Sequence, residues 1–337
     1  MVGPRCTGLP VAIRSLATYV PPRLLTNQDL ERLVDTTDEW ILQRTGIRER
    51  HIVDPGVATS DLGKEAAIRA IARAGLTPDD IGLIVVGTVT PDMMFPSTAC
   101  LIQHKIGAKR AWGFDLSAAC SAFTYSLTAA SQILASGGHQ HALVVGADVM
   151  SSIIDYRDRA TCVLFGDGAG AVVLSRVDDP SEGAILDYEH EVDGGGGDAL
   201  CMPAGGSLRP ASHETIDERL HYVKQDGQTV FKFAVRKTEE IARRILERNG
   251  LGPGDLDLFV SHQANRRIIQ SATEKLGVAP EKVIINIERF GNTTAATIPL
   301  ALNDAMCSGR LKKGNLVLLA SVGAGFTVGA VLVRWGI

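Results

Sequence analysis

An internal repeat constrains the fold of this chain more than any other feature of its sequence. Adding 175 to the residue numbers of segment 65–86 gives segment 240–261, and ten of the 22 aligned positions are identical. Each copy has the pattern of a helix, a loop containing proline and aspartate, and an apolar strand. A unit that occurs twice indicates a paired double domain, because a solenoid needs a longer series of repeats.

The repeat continues beyond these segments, with small insertions and deletions. The further matches are 105–107 with 275–277, 136–137 with 308–309, and 142–146 with 316–320. We therefore predict two α/β halves, residues 1–180 and 181–337, which join near 178–183. Strands such as 83–86 and 171–174 are apolar on both faces, which is typical of sheets that helices cover on both sides.

Composition argues against several classes of function. The chain of 337 residues carries a net charge of −4 and has a pI of about 6.1, so we expect no nucleic-acid partner. Its cysteines form no C-x-x-C pair and no histidine cluster has metal-ligand spacing, so we expect a reduced cytoplasmic chain without a metal site. The cysteines are Cys6, Cys100, Cys120, Cys162, Cys201 and Cys307.

Segment 316–333 contains no charged residue and has the length of a membrane span. However, Gly323, Gly325 and Gly329 interrupt it, and β-branched residues are frequent within it. This pattern favours two buried strands that are joined by a glycine-rich turn. The N-terminus also lacks the apolar core of a signal peptide, so we expect no membrane association.

Cys120 stands between a predicted strand and a long segment without charges. Residues 114–116 precede it, and residues 121–136 contain neither a charged residue nor proline before Gly137 and Gly138. The pattern predicts a strand, a tight turn and a buried helix, with Cys120 at the helix N-terminus. The helix dipole and the unpaired N–H groups there lower a thiol's pKa, as a nucleophile requires. The alternative is an inert buried cysteine.

Two polar residues of the second half also follow strands. His262 comes directly after strand 258–261, and Asn292 lies in loop 290–294. A local repeat offset of 172 places Asn292 where Cys120 stands in the first half. Because ligands gather at the carboxyl ends of strands, we expect the three side chains to meet. Either polar residue alone could be structural, but a cysteine with a histidine nearby indicates acyl transfer.

Together these motifs resemble β-ketoacyl-acyl-carrier-protein synthase III, of the thiolase superfamily, over almost the full length of the chain. The matching segments are 37–41, 44–50, 118–120, 165–170, 262–265, 291–293 and 323–327. The resemblance implies a duplicated α/β fold that forms a five-layered αβαβα sandwich, and a homodimer. It also implies a decarboxylative Claisen condensation of an acyl-CoA primer with malonyl-acyl-carrier protein. No cofactor is implied, because the CoA thioester is a substrate.

The resemblance assigns roles to the central residues. Cys120 would attack the acyl-CoA thioester, and His262 and Asn292 would stabilise the enolate formed from the malonyl group. The backbone N–H groups of Cys120 and Ala324 would form the oxyanion hole for acyl transfer.

The resemblance also implies binding residues. Those for CoA are Trp40, Arg44, Thr45, Arg159, Gln228, Phe231, Asn265 and Arg267, with Trp40 and Arg159 expected to sandwich the adenine. Those for the acyl chain are Phe95, Met150, Phe165 and Leu200, with Phe95 supplied by the partner subunit. An acidic carrier protein would bind Lys232, Arg266, Arg267 and Lys275.

Two other functions remain open at this stage. One is a related condensing enzyme or acyltransferase of specialised, polyketide-like metabolism. The other is a non-catalytic subunit that binds acyl-CoA, in which Cys120 would not be acylated. The presence of both His262 and Asn292 favours condensation, because simple acyl transfer needs no enolate stabilisation.

Overall fold

The computed structural model describes residues 8–337, so that Cys6 lies outside the described residues. The strands within this range are β1 (Val11–Tyr19), β2 (Leu24–Thr26), β3 (Glu49–His51), β4 (Leu83–Gly87), β5 (Trp112–Leu116), β6 (His141–Asp148), β7 (Gly168–Arg176), β8 (Ala184–Val192), β9 (Leu200–Cys201), β10 (Lys224–Gln225), β11 (Leu258–Ser261), β12 (Leu316–Gly323) and β13 (Thr327–Arg334). The α-helices are α1 (Asn27–Glu31), α2 (Asp38–Thr45), α3 (Thr59–Arg73), α4 (Thr98–Ile106), α5 (Ala122–Ala135), α6 (Arg159–Cys162), α7 (His213–Asp217), α8 (Gly227–Arg248), α9 (Arg266–Leu276), α10 (Ile287–Phe290) and α11 (Thr297–Cys307).

Two sheets form the centre of the molecule. The first has the order β1-β7-β6-β4-β5, in which β4 is parallel to β5 and β6, and β7 is antiparallel to both of its neighbours, β6 and β1. The second has the order β11-β12-β13-β8, in which β11 and β12 are parallel and the other pairs antiparallel. Two small two-stranded antiparallel sheets, β2-β3 and β9-β10, lie outside these sheets.

Helices and sheets alternate in layers. Helices α5 and α11 contact strands of both sheets and therefore lie between them. Helices α3 and α4 pack against the first sheet, and α8 packs against the second sheet together with α9. The core between the sheets is apolar and includes Phe123, Leu127 and Leu302. This order of layers is the predicted αβαβα sandwich.

The two sheets contain the predicted repeat. The corresponding elements are β1 with β8, α3 with α8, β4 with β11, α4 with α9, α5 with α11, β6 with β12, and β7 with β13. The counterpart of β5 is reduced to one parallel bridge between Phe259 and Val283. The division of the chain after residue 180 stays a prediction; β7 ends at Arg176 and β8 begins at Ala184, which supports it.

The uncharged C-terminal segment forms two buried antiparallel strands, β12 and β13, as predicted. Their register pairs Leu316 with Arg334 and Gly323 with Thr327. Among residues 8–337, none of the helices combines the length and the apolar character that crossing a membrane requires.

One predicted equivalence is wrong. A short 3₁₀ turn precedes each central helix, Ala119–Ser121 before α5 and Thr294–Ala296 before α11, and the offset at these turns is 175. Cys120 therefore corresponds to Ala295, and not to Asn292. Helix α5 has 14 residues and α11 has 11, so that the offset of 172 holds only at their C-terminal ends.

Candidate active site

Cys120 lies in a sharp turn between strand β5 and helix α5, as predicted. Ala119 has a φ of +47°, in the left-handed region that residues with a Cβ rarely adopt. This conformation turns the chain directly from the strand into the helix. Gly87, at the end of β4, permits the close approach of α5, since a Cβ there would lie 2.8 Å from the Ala122 backbone carbonyl carbon. The turn thus presents a buried thiol at the carboxyl edge of the first sheet.

The predicted lowering of the pKa of Cys120 is wrong for the unliganded protein. Burial and, to a smaller extent, the nearby Asp148 carboxylate raise the pKa of this thiol to about 12, against a lowering contribution from the Cys120 backbone N–H. The cost of placing a thiolate in an apolar cavity outweighs the favourable helix N-terminus. The thiol is therefore protonated until a substrate or a base changes its surroundings.

His262 follows strand β11 and is buried. Its Nδ1 lies 2.7 Å from the hydroxyl oxygen of Thr297, at the start of α11. Its Nε2 has no hydrogen-bond partner among the described residues. Burial lowers the pKa of the imidazole to about 3, so the ring is neutral at physiological pH. The free Nε2 is the atom available to a substrate.

Asn292 is held rigidly by its neighbours. Its backbone N–H donates to the Leu164 carbonyl at 2.8 Å, and its backbone carbonyl accepts from Gly166 N–H at 3.1 Å. Its side-chain Oδ1 accepts from the backbone N–H of Thr294 at 2.9 Å. Because that contact requires the oxygen, the amide nitrogen is the group left to donate into the cavity.

Cys120, His262 and Asn292 all line one cavity of about 200 Å³. Parallel strands and the two central helices bring them there, although they are far apart in the sequence. Thr238, Ser261 and Ser321 also line this cavity, and sequence analysis did not find them. Ser261 and Ser321 are single small polar residues in apolar strands, and Thr238 lies in a charged segment of α8, so that no motif distinguishes them.

Gly323 allows strand β12 to approach the Cys120 turn closely. A Cβ on Gly323 would lie 2.7 Å from the backbone nitrogen of Cys120 and 2.8 Å from the Ala118 carbonyl oxygen. Only a glycine therefore fits here without displacing the turn. The next residue, Ala324, lines a second cavity together with Cys120.

The residues predicted to bind CoA are only partly brought together. Trp40, Arg44, Thr45 and Phe231 line the main cavity, whereas Arg159 and Arg267 do not. The guanidinium carbon of Arg159 lies 5.0 Å from the Trp40 ring centroid, and its Nη1 donates to the Asp35 carbonyl at 3.0 Å. The two groups are in direct contact, so the predicted adenine sandwich requires Arg159 to move.

Of the other residues predicted to bind CoA, Thr45 and Asn265 form hydrogen bonds within the protein, and Gln228 lies outside the cavity. The Thr45 hydroxyl donates to the Ile41 carbonyl at 2.7 Å and accepts from Ile47 N–H at 3.0 Å. Both partners are backbone groups close to Thr45 in the sequence. Asn265 lines the cavity, and its Nδ2 donates to the Arg44 carbonyl at 3.0 Å. Gln228 does not line the cavity; it is exposed in the first turn of α8. Gln225, at the end of β10, lines the cavity instead.

The four residues predicted to bind the acyl chain lie in two different places. Met150, Phe165 and Leu200 line an apolar cavity of about 150 Å³ next to Cys120. Phe95 does not line it and is 84% exposed on the surface of the chain. Sequence analysis missed several residues that line this cavity, because they come from separate short elements without a motif. They are Val89, Ile153, Cys201, Met202, Val223 and Thr294.

The basic surface of the second half is largely neutralised. Arg266 forms an ion pair with Glu288 at 2.7 Å. Arg267 is exposed and lies over the Phe231 ring at 5.4 Å, and Lys232 and Lys275 are exposed. Within the part of the chain that the structure describes, these three residues have no ion pair. Their basic neighbours do, in the pairs Arg236–Glu240, Lys237–Glu191, Arg243–Glu239 and Arg244–Glu191.

No cluster of potential metal ligands occurs in residues 8–337, in which every cysteine is a free thiol. Cys120 and Cys162 are buried, and burial raises the pKa of Cys162 to about 11. The polar groups at the cavity are thus organic side chains and backbone amides.

Segments 114–194 and 246–335 match two family models, described as 3-oxoacyl-[acyl-carrier-protein (ACP)] synthase III and as the C-terminal part of the same synthase. Among curated proteins, the beta-ketoacyl-[acyl-carrier-protein] synthase III of Koribacter versatilis is 59% identical over 323 residues. The alignment covers 96% of this chain and 97% of that protein.

Solved structures are similar over nearly the whole chain. The 3-oxoacyl-[acyl-carrier-protein] synthase III of Aquifex aeolicus VF5 has 42% sequence identity and a TM-score of 0.89, and covers 96% of this chain and 100% of its own. The priming beta-ketosynthase from the R1128 polyketide biosynthetic pathway has 36% identity and a TM-score of 0.89, with 99% and 98% covered.

Proposed function

Because the chain belongs to the 3-oxoacyl-[acyl-carrier-protein] synthase III family, we propose that it condenses an acyl-CoA primer with malonyl-acyl-carrier protein. Enzymes of this family are condensing acyltransferases that initiate fatty-acid synthesis. The products are 3-oxoacyl-acyl-carrier protein, CO₂ and CoA. The single cavity shared by Cys120, His262 and Asn292 carries this proposal.

In the first stage, Cys120 attacks the thioester carbon of the acyl-CoA and forms an acyl-enzyme. The backbone N–H groups of Cys120 and Ala324 stabilise the oxyanion, and Gly323 leaves the space that this oxygen needs. One such donor contributes about 3 kcal/mol to the transition state. The acyl chain then occupies the apolar cavity formed in part by Met150 and Leu200.

In the second stage, the malonyl thioester enters the main cavity and loses CO₂. The Asn292 amide nitrogen donates to the thioester oxygen, since its own oxygen is engaged by Thr294 N–H. His262 lines the same cavity, and its Nε2 has no hydrogen-bond partner among the described residues. Together they stabilise the enolate that attacks the acylated Cys120. CoA takes part as a substrate, and the reaction needs no cofactor.

CoA binds at the mouth of the main cavity in this proposal. Trp40 and Arg159 contact the adenine after Arg159 moves, and Arg44 and Arg267 contact the phosphates. Phe231, Thr45 and Asn265 contact the pantetheine arm, whereas the exposed Gln228 is the weakest of the assignments.

An acidic carrier protein docks on Lys232, Arg266, Arg267 and Lys275, near the α8 and α9 rim of the cavity. The unpaired Lys232 and Lys275 support this surface more than Arg266, which pairs with Glu288. Charge reversal of Lys232 and Lys275 raises KM for malonyl-acyl-carrier protein and leaves KM for acyl-CoA unchanged. Lys109→Glu, an exposed basic residue of the first half, is the matched control. An equal rise in KM for Lys109→Glu would rule out a local docking surface.

We also propose a homodimer. Met93, Met94 and Phe95 form an exposed apolar run, in which Met94 and Phe95 are 81% and 84% exposed. Burial of this run by a second copy would bring Phe95 to the acyl cavity of that copy. Analytical ultracentrifugation at micromolar concentration tests this: a dimer is expected, and a monomer contradicts it. The free cysteines fit a reducing, cytoplasmic setting.

A related condensation in specialised metabolism is the second candidate. The similarity to the R1128 priming ketosynthase, at 36% identity over 99% of this chain, favours it. Both candidates use the same catalytic residues and differ in primer and carrier. Turnover with the carrier proteins of fatty-acid and of polyketide synthesis therefore separates them.

Intact-mass spectrometry tests the proposal. The protein is incubated with acetyl-, isobutyryl- or octanoyl-CoA, with Cys120→Ser as the control variant. We expect an acyl adduct on the wild-type chain alone, followed by 3-oxoacyl product when malonyl-acyl-carrier protein is added. No adduct with any of the three would favour a non-catalytic acyl-CoA-binding protein. An adduct without condensation would favour simple acyl transfer.

A further inference from the structure

Helices α8 and α9, with the face of the second sheet that they cover, form one wall of the main cavity. Ser261, the last residue of β11, lies on this face, because Phe259 two positions earlier packs in the apolar cluster that contains residues of α8 and α9. The partner of Ser261 in the register with β12 is Ala320. The cavity-lining residues of this surface, referred to below as the α8–α9 wall, are Thr238, Ser261, Ile269, Ala272 and Ala320.

Ser261 places an unpartnered hydroxyl group on the α8–α9 wall. The residue is 4% exposed, and its Oγ has no hydrogen-bond partner among the described residues. Ser321 also lines the cavity, but its Oγ lies 2.7 Å from the hydroxyl oxygen of Thr124. Because buried hydroxyl groups are nearly always hydrogen-bonded, the Ser261 hydroxyl is suited to bind a polar group of a ligand.

The α8–α9 wall is polar without being charged. Of the described residues that line the main cavity, Arg44 alone has a permanently charged side chain, and it lies on α2. Thr238 adds a second hydroxyl-bearing side chain to the wall, and Ile269 and Ala272 add apolar surface. Hydroxyl groups donate hydrogen bonds to an anion without neutralising its charge. The wall can therefore orient a carboxylate more weakly than an ion pair would.

The malonyl group of the proposed reaction brings a carboxylate into this cavity. Its carboxylate and its thioester carbonyl share one methylene carbon, so they contact neighbouring parts of the cavity surface. In the proposed function, Asn292 and His262 contact the thioester oxygen. Ser261 precedes His262 in the chain, which places their Cα atoms about 3.8 Å apart, and both residues line the cavity.

We propose that the Ser261 hydroxyl, assisted by Thr238, binds the carboxylate of the malonyl group before CO₂ is lost. The proposal rests on the proposed function and assigns a binding site for its second substrate. Ser261 donates a hydrogen bond to a carboxylate oxygen and keeps its proton. When the bond between the methylene carbon and the carboxylate carbon breaks, its electron pair forms the enolate, and CO₂ leaves as a neutral molecule. The negative charge thus moves from the α8–α9 wall to the thioester oxygen at Asn292.

An uncharged wall favours this step. A lysine or arginine here would form an ion pair with the carboxylate and lose it as CO₂ forms, which would raise the barrier. The Ser261 hydroxyl loses only a hydrogen bond in the same step. The apolar side chains of Ile269 and Ala272 limit the hydration of the carboxylate, whose loss as CO₂ removes the charge from this wall.

Calorimetric titration with malonyl-CoA tests the binding site without requiring turnover. Malonyl-CoA carries the malonyl thioester on a pantetheine arm, and isovaleryl-CoA is its neutral counterpart, in which two methyl groups replace the carboxylate oxygens. Both are titrated into the whole protein as Cys120→Ala, which prevents acylation, with and without Ser261→Ala. Mass spectrometry of the ligand afterwards verifies that malonyl-CoA is intact.

We expect Ser261→Ala to raise Kd for malonyl-CoA about 10- to 100-fold, the loss expected for one hydrogen bond to a charged group, and to leave Kd for isovaleryl-CoA unchanged. Thr238→Val should raise Kd for malonyl-CoA by a smaller factor. In the enzyme with Cys120 intact, Ser261→Ala should lower kcat/KM for malonyl-acyl-carrier protein by a similar factor relative to the rate at which acyl-CoA acylates Cys120.

Ser126→Ala is the matched control, because Ser126 is also a buried serine whose Oγ has no partner among the described residues, and it does not line the main cavity. We expect it to change neither Kd. An unchanged Kd for malonyl-CoA in Ser261→Ala, or an equal rise for both ligands, would overturn the proposal.

The two proposals fail separately. If the wild type makes 3-oxoacyl product and Ser261→Ala binds malonyl-CoA normally, the carboxylate site is wrong and the proposed function stands. If the wild type makes no 3-oxoacyl product, the proposed function fails, and the calorimetric comparison of the two ligands still decides whether Ser261 binds a carboxylate.

Discussion

The turn at Ala119–Ser121 and the turn at Thr294–Ala296 have the same backbone geometry, but only the first holds a nucleophile. Ala119 and Thr294 stand at equivalent positions, with φ values of +47° and +51°. The next residue is Cys120 in the first turn and Ala295 in the second. The duplication thus preserved the scaffold of the turn twice and its chemistry once.

The two turns also differ in the residue that faces them from the other half. Strands β6 and β12 correspond, and they end at Asp148 and Gly323. Asp148 reaches the second turn, where its Oδ2 accepts from Ala295 N–H at 3.1 Å. Gly323 reaches the first turn and, having no side chain, leaves the Cys120 N–H free of a carboxylate.

We propose that this exchange decides which of the two turns can stabilise an oxyanion. The N–H that follows a left-handed residue at the start of a helix favours an anion in both turns. In the second turn an internal carboxylate occupies this position. In the first turn a glycine keeps it open for a substrate oxygen. In this proposal the residues at the ends of β6 and β12, together with the cysteine itself, determine which turn is active.

Gly323→Ala should have the largest effect of the substitutions at the two turns, because it should slow the acylation of Cys120. Its Cβ would lie 2.7 Å from the Cys120 backbone nitrogen and so exclude a substrate oxygen. We expect the rate of Cys120 acylation to fall about 100- to 1000-fold, as for loss of an oxyanion-hole donor. Rapid-quench mass spectrometry with acyl-CoA measures this rate.

Gly254→Ala is the control for that experiment, because a Cβ at Gly254 has open space around it. Thermal melting of both variants separates a blocked site from a damaged fold. Acylation of Gly323→Ala at the wild-type rate would show that Gly323 does not keep the oxyanion position open.

Asp148→Ala should affect stability most. Asp148 is fully buried, and its Oδ1 accepts from Thr88 Oγ1 at 2.9 Å, Val89 N–H at 2.8 Å and Thr90 Oγ1 at 2.9 Å. Removal of the carboxylate leaves these donors and Ala295 N–H buried without an acceptor. We expect the free energy of unfolding to fall by about 3 to 5 kcal/mol, measured by urea denaturation.

The matched control is Asp79→Ala, an exposed aspartate, for which we expect a change within about 0.5 kcal/mol. A loss for Asp148→Ala no larger than that of the control would mean that the contact with the second turn contributes nothing to stability.

The stability of the fold should also depend on pH through Asp148. Burial raises its pKa from 3.8 to about 6, because the hydrogen bonds it accepts offset only part of the cost of burying a charge. The folded protein therefore keeps this proton at pH values where the unfolded chain has released it. The resulting stability is fully present below pH 3.8 and is lost as pH rises through about 6.

Asp148→Asn does not titrate and isolates this contribution. We expect the wild type to lose stability relative to Asp148→Asn as pH rises from 4 to 6, by at most about 1.4 kcal/mol per pH unit. Urea denaturation at several pH values measures the difference. A difference that is constant over this range, or that grows in favour of the wild type, would contradict the raised pKa.

Much of the fold followed from the repeat, because helices and strands of one half reappear in the other with the same apolar pattern. Segments 65–86 and 240–261 contain α3 with β4 and α8 with β11, as predicted. The Cys120 turn was also predicted from local signals. The equivalence of Asn292 and Cys120 was wrong, since α11 is shorter than α5 and the offset changes along the helix.

Features that depend on tertiary distance were not predictable from the sequence. Asp148 contacts a residue 147 positions away, and His262 contacts Thr297, 35 positions away. No motif indicates either contact, because aspartate and threonine are common residues in such segments. The pKa of Cys120 was missed for the same reason, as burial by distant elements outweighs the local helix N-terminus.

Replacing Ala119 or Thr294, the residues with a left-handed φ in the two turns, by glycine should have the smallest effect on the free energy of unfolding. A left-handed φ costs a residue with a Cβ about 1 kcal/mol, which glycine does not lose. We therefore expect Ala119→Gly to raise the free energy of unfolding by about 0.5 kcal/mol, after the entropy of glycine in the unfolded chain is subtracted. Thr294→Gly should gain more, because the left-handed conformation is costlier for a β-branched residue and its buried hydroxyl has no partner among the described residues.

Ala118→Gly provides the control within the same turn, since Ala118 has a φ of −148° and gains nothing from glycine. It should destabilise the fold by about 0.5 to 1 kcal/mol. If Ala119→Gly were as destabilising as Ala118→Gly, the left-handed geometry would not be strained. A gain in stability accompanied by slower acylation of Cys120 would show that the first turn uses its strain to hold the nucleophile, whereas the second turn retains the same geometry without that use.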